Sequence, residues 1–424
     1  MGVLPDHFEM NCRLLTDQDS FPPFSLSLEM ESLVFIDNGD RTDPAFNLAL
    51  EEYVLRHMDP EQDYLLLYRN EPSVIVGRNQ NVLEEVHDSY LRQKGIPILR
   101  RLSGGGTVYH DPQNLNFSFI TRYEPSRLHN FRFFNTPVVR ILRKLGVPAE
   151  MNDRNDILAG GRKISGSAQF SSKGRMFSHG TLLFNSELEE LDRVLSVRMK
   201  HIRSKSHKSV RSVVANISEF LDQPMDVHAF RQLLLQGLIR DGLVGSQYKL
   251  SDADLDMIGE LRESRYTQWE WNIGRSPKFK VSRKRILGGV SLSVDLVVSK
   301  GYIEEIALQS ALVAPQSASY ADTGFSPVDD VPDLTVISKA LKGIRYEPHA
   351  VLAGIRNALK QGMSGNATAF SADSVATMVY GEDPDANGES PDACRENPDA
   401  NGESPDACRE KPDAYREDPD ETSR

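Results

Sequence analysis

From Leu33 to about residue 362 the apolar residues of the chain switch between two rhythms. LVFI (33–36) is a short strand. Asp43-Pro44 then supplies a helix N-cap with proline at the first helical position. Phe46, Ala49, Leu50, Tyr53 and Val54 follow at helical spacing. YLLLYR (64–69) and SVIVG (73–77) are continuous apolar runs, the pattern of strands buried on both faces. The pattern next predicts a helix over 83–94 ending at Gly95, strands at 97–101 and 115–121, and a helix over 136–145 ending at Gly146. RKISGSAQF (162–170) and MFSHGTLLF (176–184) flank Ser-Ser-Lys-Gly and predict a hairpin. Helices are expected near 187–196, 226–240 and 251–263, the last opened by the capping box Ser251-x-x-Asp254.

After Trp269-Glu270-Trp271 the pattern changes. Val290, Leu292, Val294, Leu296 and Val298 alternate strictly, and YIEEIAL (302–308) follows a Ser-Lys-Gly turn, as in a half-exposed hairpin. Helices at 333–342 and 348–360 complete a small α+β unit. The fold class is thus α/β (α+β): a larger domain over 32–272 and a smaller one over 273–365, with a hinge at Asn272–Ser276.

Both ends read as loose. Residues 1–31 lack periodicity, and Met10 and Met30 are alternative starts. Residues 366–424 read as a disordered acidic tail, in which Pro-Asp recurs every seven residues from Pro384 to Pro419. Proline once per heptad excludes a coiled coil, and the repeat from Pro384 has no apolar side chains to bury that could offset its ordering. The tail is either a partner-binding arm or a neutral repeat expansion.

Charge changes meaning once the ends are set apart. The 424 residues carry 49 Lys+Arg and 61 Asp+Glu, a net charge of −12. Residues 382–424 hold 15 acids and 5 bases, and residues 1–31 hold 6 acids and 1 base, which leaves the body at +3. The body suits anionic small molecules and an acidic protein partner; no nucleic-acid binding is expected. No apolar stretch approaches the ~20 residues of a membrane helix, so no membrane partner is expected. The first 30 residues hold a single Arg (Arg13) among several acids, which fits neither a secretory signal nor a transit peptide, and a cytoplasmic location is expected. The three cysteines, Cys12, Cys394 and Cys408, all lie in the ends.

Three segments of the body can carry chemistry. In Arg100-Arg101-Leu102-Ser103-Gly104-Gly105-Gly106-Thr107-Val108-Tyr109-His110-Asp111, three glycines after a strand let backbone N–H groups converge on an anion, with two arginines beside them. The alternative is a flexible turn with solvated arginines. Lys163, among the small residues of Gly161-Arg162-Lys163-Ile164-Ser165-Gly166-Ser167-Ala168, is a compact cation with room for a ligand; alone it would read as a surface lysine. Arg78 ends a buried strand in Val76-Gly77-Arg78-Asn79-Gln80-Asn81, either at a site or in a solvated loop. His179 has no second ligand candidate at metal spacing, so no protein-bound metal is expected.

Together IVGRNQN (75–81), RRLSGGGTVYHD (100–111), RNDI (154–157), GRKISGSA (161–168) and HGTLL (179–183) resemble the lipoate–protein ligase A family, as do SVRSVVANISEFL (209–221) and TQWEWNIG (267–274). The resemblance spans roughly 33–362. It implies a biotin/lipoate ligase-like catalytic domain related to class II aminoacyl-tRNA synthetases, plus a small accessory domain that moves between two steps. Lipoate and ATP would give lipoyl-AMP and pyrophosphate; the ε-amine of a lysine on a lipoyl domain would then take the lipoyl group. The acceptors implied are 2-oxoacid dehydrogenase E2 subunits and glycine cleavage H protein, and Mg²⁺ would ride on the triphosphate.

By the same match Lys163 is catalytic and meets both substrates. Arg101, Ser103, Gly104, Gly105, Gly106, Thr107, Val108, Tyr109 and Asp156 form the ATP/adenylate site, and Arg78 and His179 the lipoate site. Val76, Ile164 and Leu182 are candidate walls of an acyl tunnel. Octanoyltransferases related to the family work through an acyl-cysteine, and this chain has no Cys between 13 and 393. The alternatives left are a lipoyl or octanoyl transferase fed by a ready-made adenylate or another carrier, and a non-catalytic sensor that keeps the fold.

Overall fold

The computed structural model describes residues 32–196, 202–287, 290–312, 334–362 and 371–381. Its main sheet has six strands in the order Ser167–Ser172, Arg175–Leu183, Asn114–Arg122, Tyr64–Tyr68, Leu33–Asp37, Val244–Lys249. The first three junctions are antiparallel and the last two parallel. Phe117, Phe119, Leu65 and Leu67 face one core, closed by the helices Phe131–Lys144 and Val227–Arg240. Leu66, Ile120 and Phe177 face the other, closed by Pro44–His57 and Asp252–Leu261. This is a sheet buried on both faces, as the continuous apolar runs require.

The caps form as predicted. Asp43 accepts from the Ala45 N–H at 2.9 Å, and Ser251 and Asp254 form the capping box. Two expectations are corrected. The helix expected from 136 begins at Phe131, capped by Asn130, so Pro137 lies inside it rather than at its start. RKISGSAQF is not one strand: the chain breaks at Gly166. Arg162–Ser165 joins a separate three-stranded sheet with Ile157–Ala159 and Ala149–Met151, and only Ser167–Ser172 forms the hairpin with Arg175–Leu183.

A third small sheet, Ile98–Arg100, Ser73–Val76 and Val108–His110, carries the glycine run between two of its strands. The C-terminal sheet runs Ile202–Ser204, Phe279–Leu287, Val290–Ser299, Tyr302–Leu312, and Ile202–Ser204 comes from the catalytic region. All described residues fall within one compact unit. The C-terminal core around Val281, Leu292, Val294 and Ile337 also takes in Leu83 and Ile202 from before residue 272.

The segment Asn272–Ser276 is held firmly. Arg100, fully buried, takes Asn272 Oδ1 with its backbone N–H at 3.0 Å, and Ser276 Oγ with its guanidinium at 3.2 Å. One boundary moves. Ala372–Tyr380 is a helix, and Val375, Met378, Val379 and Tyr380 are buried in the C-terminal core, so the accessory unit runs past 365. Residues 1–31 and the Pro-Asp repeat lie outside the described residues.

Candidate active site

Between the main sheet and the glycine run lies a cavity of about 270 Å³. Its apolar walls are Leu48, Tyr68, Ile75 and Val108, and its polar rim includes Arg101, Gly105, Thr107, Asp156, Lys163 and His179. Sequence-distant segments thus converge on one space. A wider, polar cavity of about 410 Å³ adjoins it and shares Arg154, Asp156 and Lys163.

Two close approaches explain the glycines. Gly105 has φ +85, and its carbonyl lies so near Gly77 that a Cβ there would fall 2.2 Å from it. No L side chain fits at Gly77 without parting the two loops. At Gly166 a Cβ would sit 3.1–3.2 Å from the end of Lys163, so the glycine leaves room for that ammonium. Lys163 Nζ pairs with Asp156 Oδ1 at 2.8 Å. Its backbone is clamped by Val213 and Ala215: the Lys163 N–H donates to Val213 O at 2.9 Å and Lys163 O accepts from Ala215 N at 3.0 Å.

Arg101 is the strut of the glycine run. Its guanidinium donates to Ile75 O (2.9 Å), Gly104 O (2.7 Å), Gly106 O (2.6 Å) and Ser103 Oγ (2.9 Å). Burial pushes its pKa down to about 10, with the nearby Glu51 opposing the fall, so it remains a cation at neutral pH. Ser103 Oγ meets His179 Nε2 at 2.8 Å, and His179 Nδ1 meets Glu51 at 2.9 Å. A Ser–His–Glu line of this kind can activate a hydroxyl, but Ser103 is fully buried and already accepts from Arg101. It positions the run and does not attack a substrate.

His110 also lines the cavity. Burial, with Arg101 and His179 nearby, lowers its pKa to about 3, so the ring is neutral. Nδ1 accepts from Asn70 Nδ2 at 2.9 Å, which leaves Nε2–H as the donor, and it has no hydrogen-bond partner.

Some predicted residues stand apart from the cavity. Tyr109 packs among Val74, Val76 and Leu91, and Arg78 lies over the Phe170 ring at 5.5 Å. Val76, Ile164 and Leu182 are not tunnel walls; they face the hydrophobic cores. Their neighbours Ile75, Lys163 and Thr181 face the cavity, because adjacent residues of a strand point to opposite faces. Leu48, Tyr68 and Asn116, which line the cavity, and Glu51, which holds His179, are residues that sequence reasoning missed; no motif marks them, whereas Arg154 opens the RNDI segment. Among the described residues no group of three or more His, Cys, Asp or Glu could hold a metal ion, and no helix is long and apolar enough to cross a membrane.

The model of the lipoyl protein ligase A/B catalytic domain matches residues 43–239. The lipoate–protein ligase LplJ of Bacillus subtilis is 45% identical over 325 residues, 76% of this chain and 93% of its own length. Lipoate–protein ligase 1 of Staphylococcus aureus is 46% identical over 270 residues, 64% of this chain and 82% of its own. Among solved structures, a bipartite lipoate protein ligase of Thermoplasma acidophilum, described with its E2 lipoyl domain, is similar at 27% identity and a TM-score of 0.50. That match covers 61% of this chain and all of the other.

Proposed function

The chain belongs to the lipoate–protein ligase family, and we propose that it activates lipoate with ATP and passes the lipoyl group to a lysine of lipoyl domains. The observation that carries this is the position of Lys163, on the rim of an apolar-walled cavity that also holds the glycine run and Arg101. A carboxylate oxygen attacks the α-phosphorus, pyrophosphate leaves, and two anions must approach each other in a partly dry pocket. The Lys163 ammonium between them lowers that barrier. The lysine ε-amine of the acceptor then attacks the acyl carbon; its nitrogen forms the amide and AMP leaves.

In this reading Arg101 and the Gly104–Val108 loop hold the nucleotide. Ser103 and His179 brace Arg101, and Asp156 orients Lys163 before substrates arrive. Leu48, Tyr68 and Ile75 wall the acyl chain. Mg²⁺ travels on the triphosphate. Acceptors are the lipoyl domains of 2-oxoacid dehydrogenase E2 subunits and glycine cleavage H protein, and the reaction runs in the cytoplasm, where ATP is supplied.

The test is pyrophosphate release on mixing the protein with ATP, with lipoate and octanoate in parallel. Lipoate-dependent release is expected. Its absence, with transfer from synthetic lipoyl-adenylate intact, would replace this reading by that of a transferase that does not activate its own acid.

A further inference from the structure

We propose that Gln80 is a positioning residue that fixes the distance between the glycine run and the segment over Lys163, and that it acts on ATP rather than on the acyl substrate. The inference rests on the ligase reading above. Gln80 is fully buried, and all four hydrogen-bonding positions of its amide are used. Oε1 accepts from the Gly77 N–H at 2.9 Å and from Thr107 Oγ1 at 2.8 Å. Nε2 donates to Ser209 Oγ at 3.1 Å and to His207 O at 3.4 Å. Its backbone carbonyl accepts from Arg100 at 2.8 Å.

Three separate segments therefore meet at one planar amide. Ser209 closes the circuit: its hydroxyl accepts from the Thr107 N–H at 2.8 Å and donates to Glu85. The chain from Ser209 runs on to Val213 and Ala215, which clamp the backbone of Lys163. One wall of this arrangement is the anion loop and the other carries the lysine. Gln80 thus sets the gap that a triphosphate must fill. The residues that wall the acyl side, Leu48, Tyr68 and Ile75, have no side-chain hydrogen bond to Gln80. A hydroxyl or carboxylate cannot replace the amide, because two acceptor bonds and two donor bonds are needed in one plane.

The experiment is lipoate-dependent pyrophosphate release by Gln80→Met, which keeps length and loses every side-chain hydrogen bond. KM is measured for ATP and for lipoate separately, alongside equilibrium binding of a non-hydrolysable ATP analogue and the thermal midpoint. KM and Kd for the nucleotide should rise about tenfold or more, with KM for lipoate changed less than about twofold. Thr107→Val removes only the hydroxyl bond to Gln80; it should shift the nucleotide in the same direction, and the double variant should be less than additive. If Gln80→Met is too unstable to purify, Gln80→Glu, which keeps Oε1 as an acceptor and loses the two donor bonds, decides. A nucleotide constant within about twofold of wild type in a folded variant overturns the proposal, as does an equal rise of both KM values, which would mean general loosening. Absence of lipoate-dependent pyrophosphate release in the wild-type protein overturns the ligase reading instead.

Discussion

Replacing Lys163 by Ala removes the cation at the rim of the cavity without touching either core. The pair it makes with Asp156 is partly exposed, with side chains 27% and 16% accessible, so its loss should cost about 0–1 kcal/mol of stability. Catalysis should lose far more. A unit charge about 4 Å from the developing charge, at an effective dielectric of about 20, contributes about 4 kcal/mol. That corresponds to about a thousandfold in rate. Removing Lys163 also leaves Asp156 facing two substrate anions, which works in the same direction. The assay is single-turnover pyrophosphate release with lipoate and ATP, with transfer from synthetic lipoyl-adenylate followed separately. Lys163→Arg should recover only part of the rate, because the ammonium already lies so near Gly166 that a Cβ there would sit 3.2 Å from it, a space for a compact charge and not a planar fork. Adenylation within about tenfold of wild type in a folded Lys163→Ala protein would refute the electrostatic role.

Further outcomes follow from the same geometry. His110 is held neutral with a pKa of about 3, whereas the unfolded chain takes up that proton near the ordinary value of about 6.5. Stability should therefore fall as pH drops from about 6.5 toward 3, by up to about 1.4 kcal/mol per pH unit, and owe nothing to this group above 6.5. Urea midpoints at pH 5 and pH 7.5 should show a smaller difference for His110→Gln than for wild type. Glu51→Gln removes the carboxylate that opposes the buried Arg101 and pairs with His179; KM for ATP should rise about tenfold and stability fall by about 1–3 kcal/mol. A chain ending at Gly381 should melt within about 2 °C of the full chain. One ending at 370 exposes the sites filled by Val375, Met378, Val379 and Tyr380, and should lose at least about 5 kcal/mol in a thermal or urea melt.

The site segments were readable from the sequence because loops that approach each other this closely need rare backbone. A side chain at Gly77 would strike Gly105, and one at Gly166 would crowd Lys163, so glycine runs mark where the ligand space lies. Which side of a strand faces that space was not readable. Val76 and Ile75 are equally apolar, in a run buried on both faces, and nothing in SVIV breaks the symmetry. The helix Pro44–His57 poses the same difficulty in three dimensions. It is buried nearly all round, from Pro44 to Leu55, so its apolar spacing identifies the helix but gives no solvent face.

Nothing in the spacing marks Glu51 and Glu52 as buried, yet both are: Glu51 against His179, Glu52 against Tyr266. The strand Phe279–Leu287 was hidden for a related reason. Lys280, Ser282 and Lys284 lie on its solvent face, while Arg283 on the other face reaches the Met378 and Val379 carbonyls at the end of the last helix. A cation at an inward position conceals both the strand and the helix it caps. Partners of this kind lie far apart in the chain, as Glu51 and His179 do, and they are chosen by the fold after the loops are set. Local spacing can therefore reveal the residues that shape a ligand space but not the buried charges that brace them, and Gln80, whose amide joins three segments, belongs to that second class.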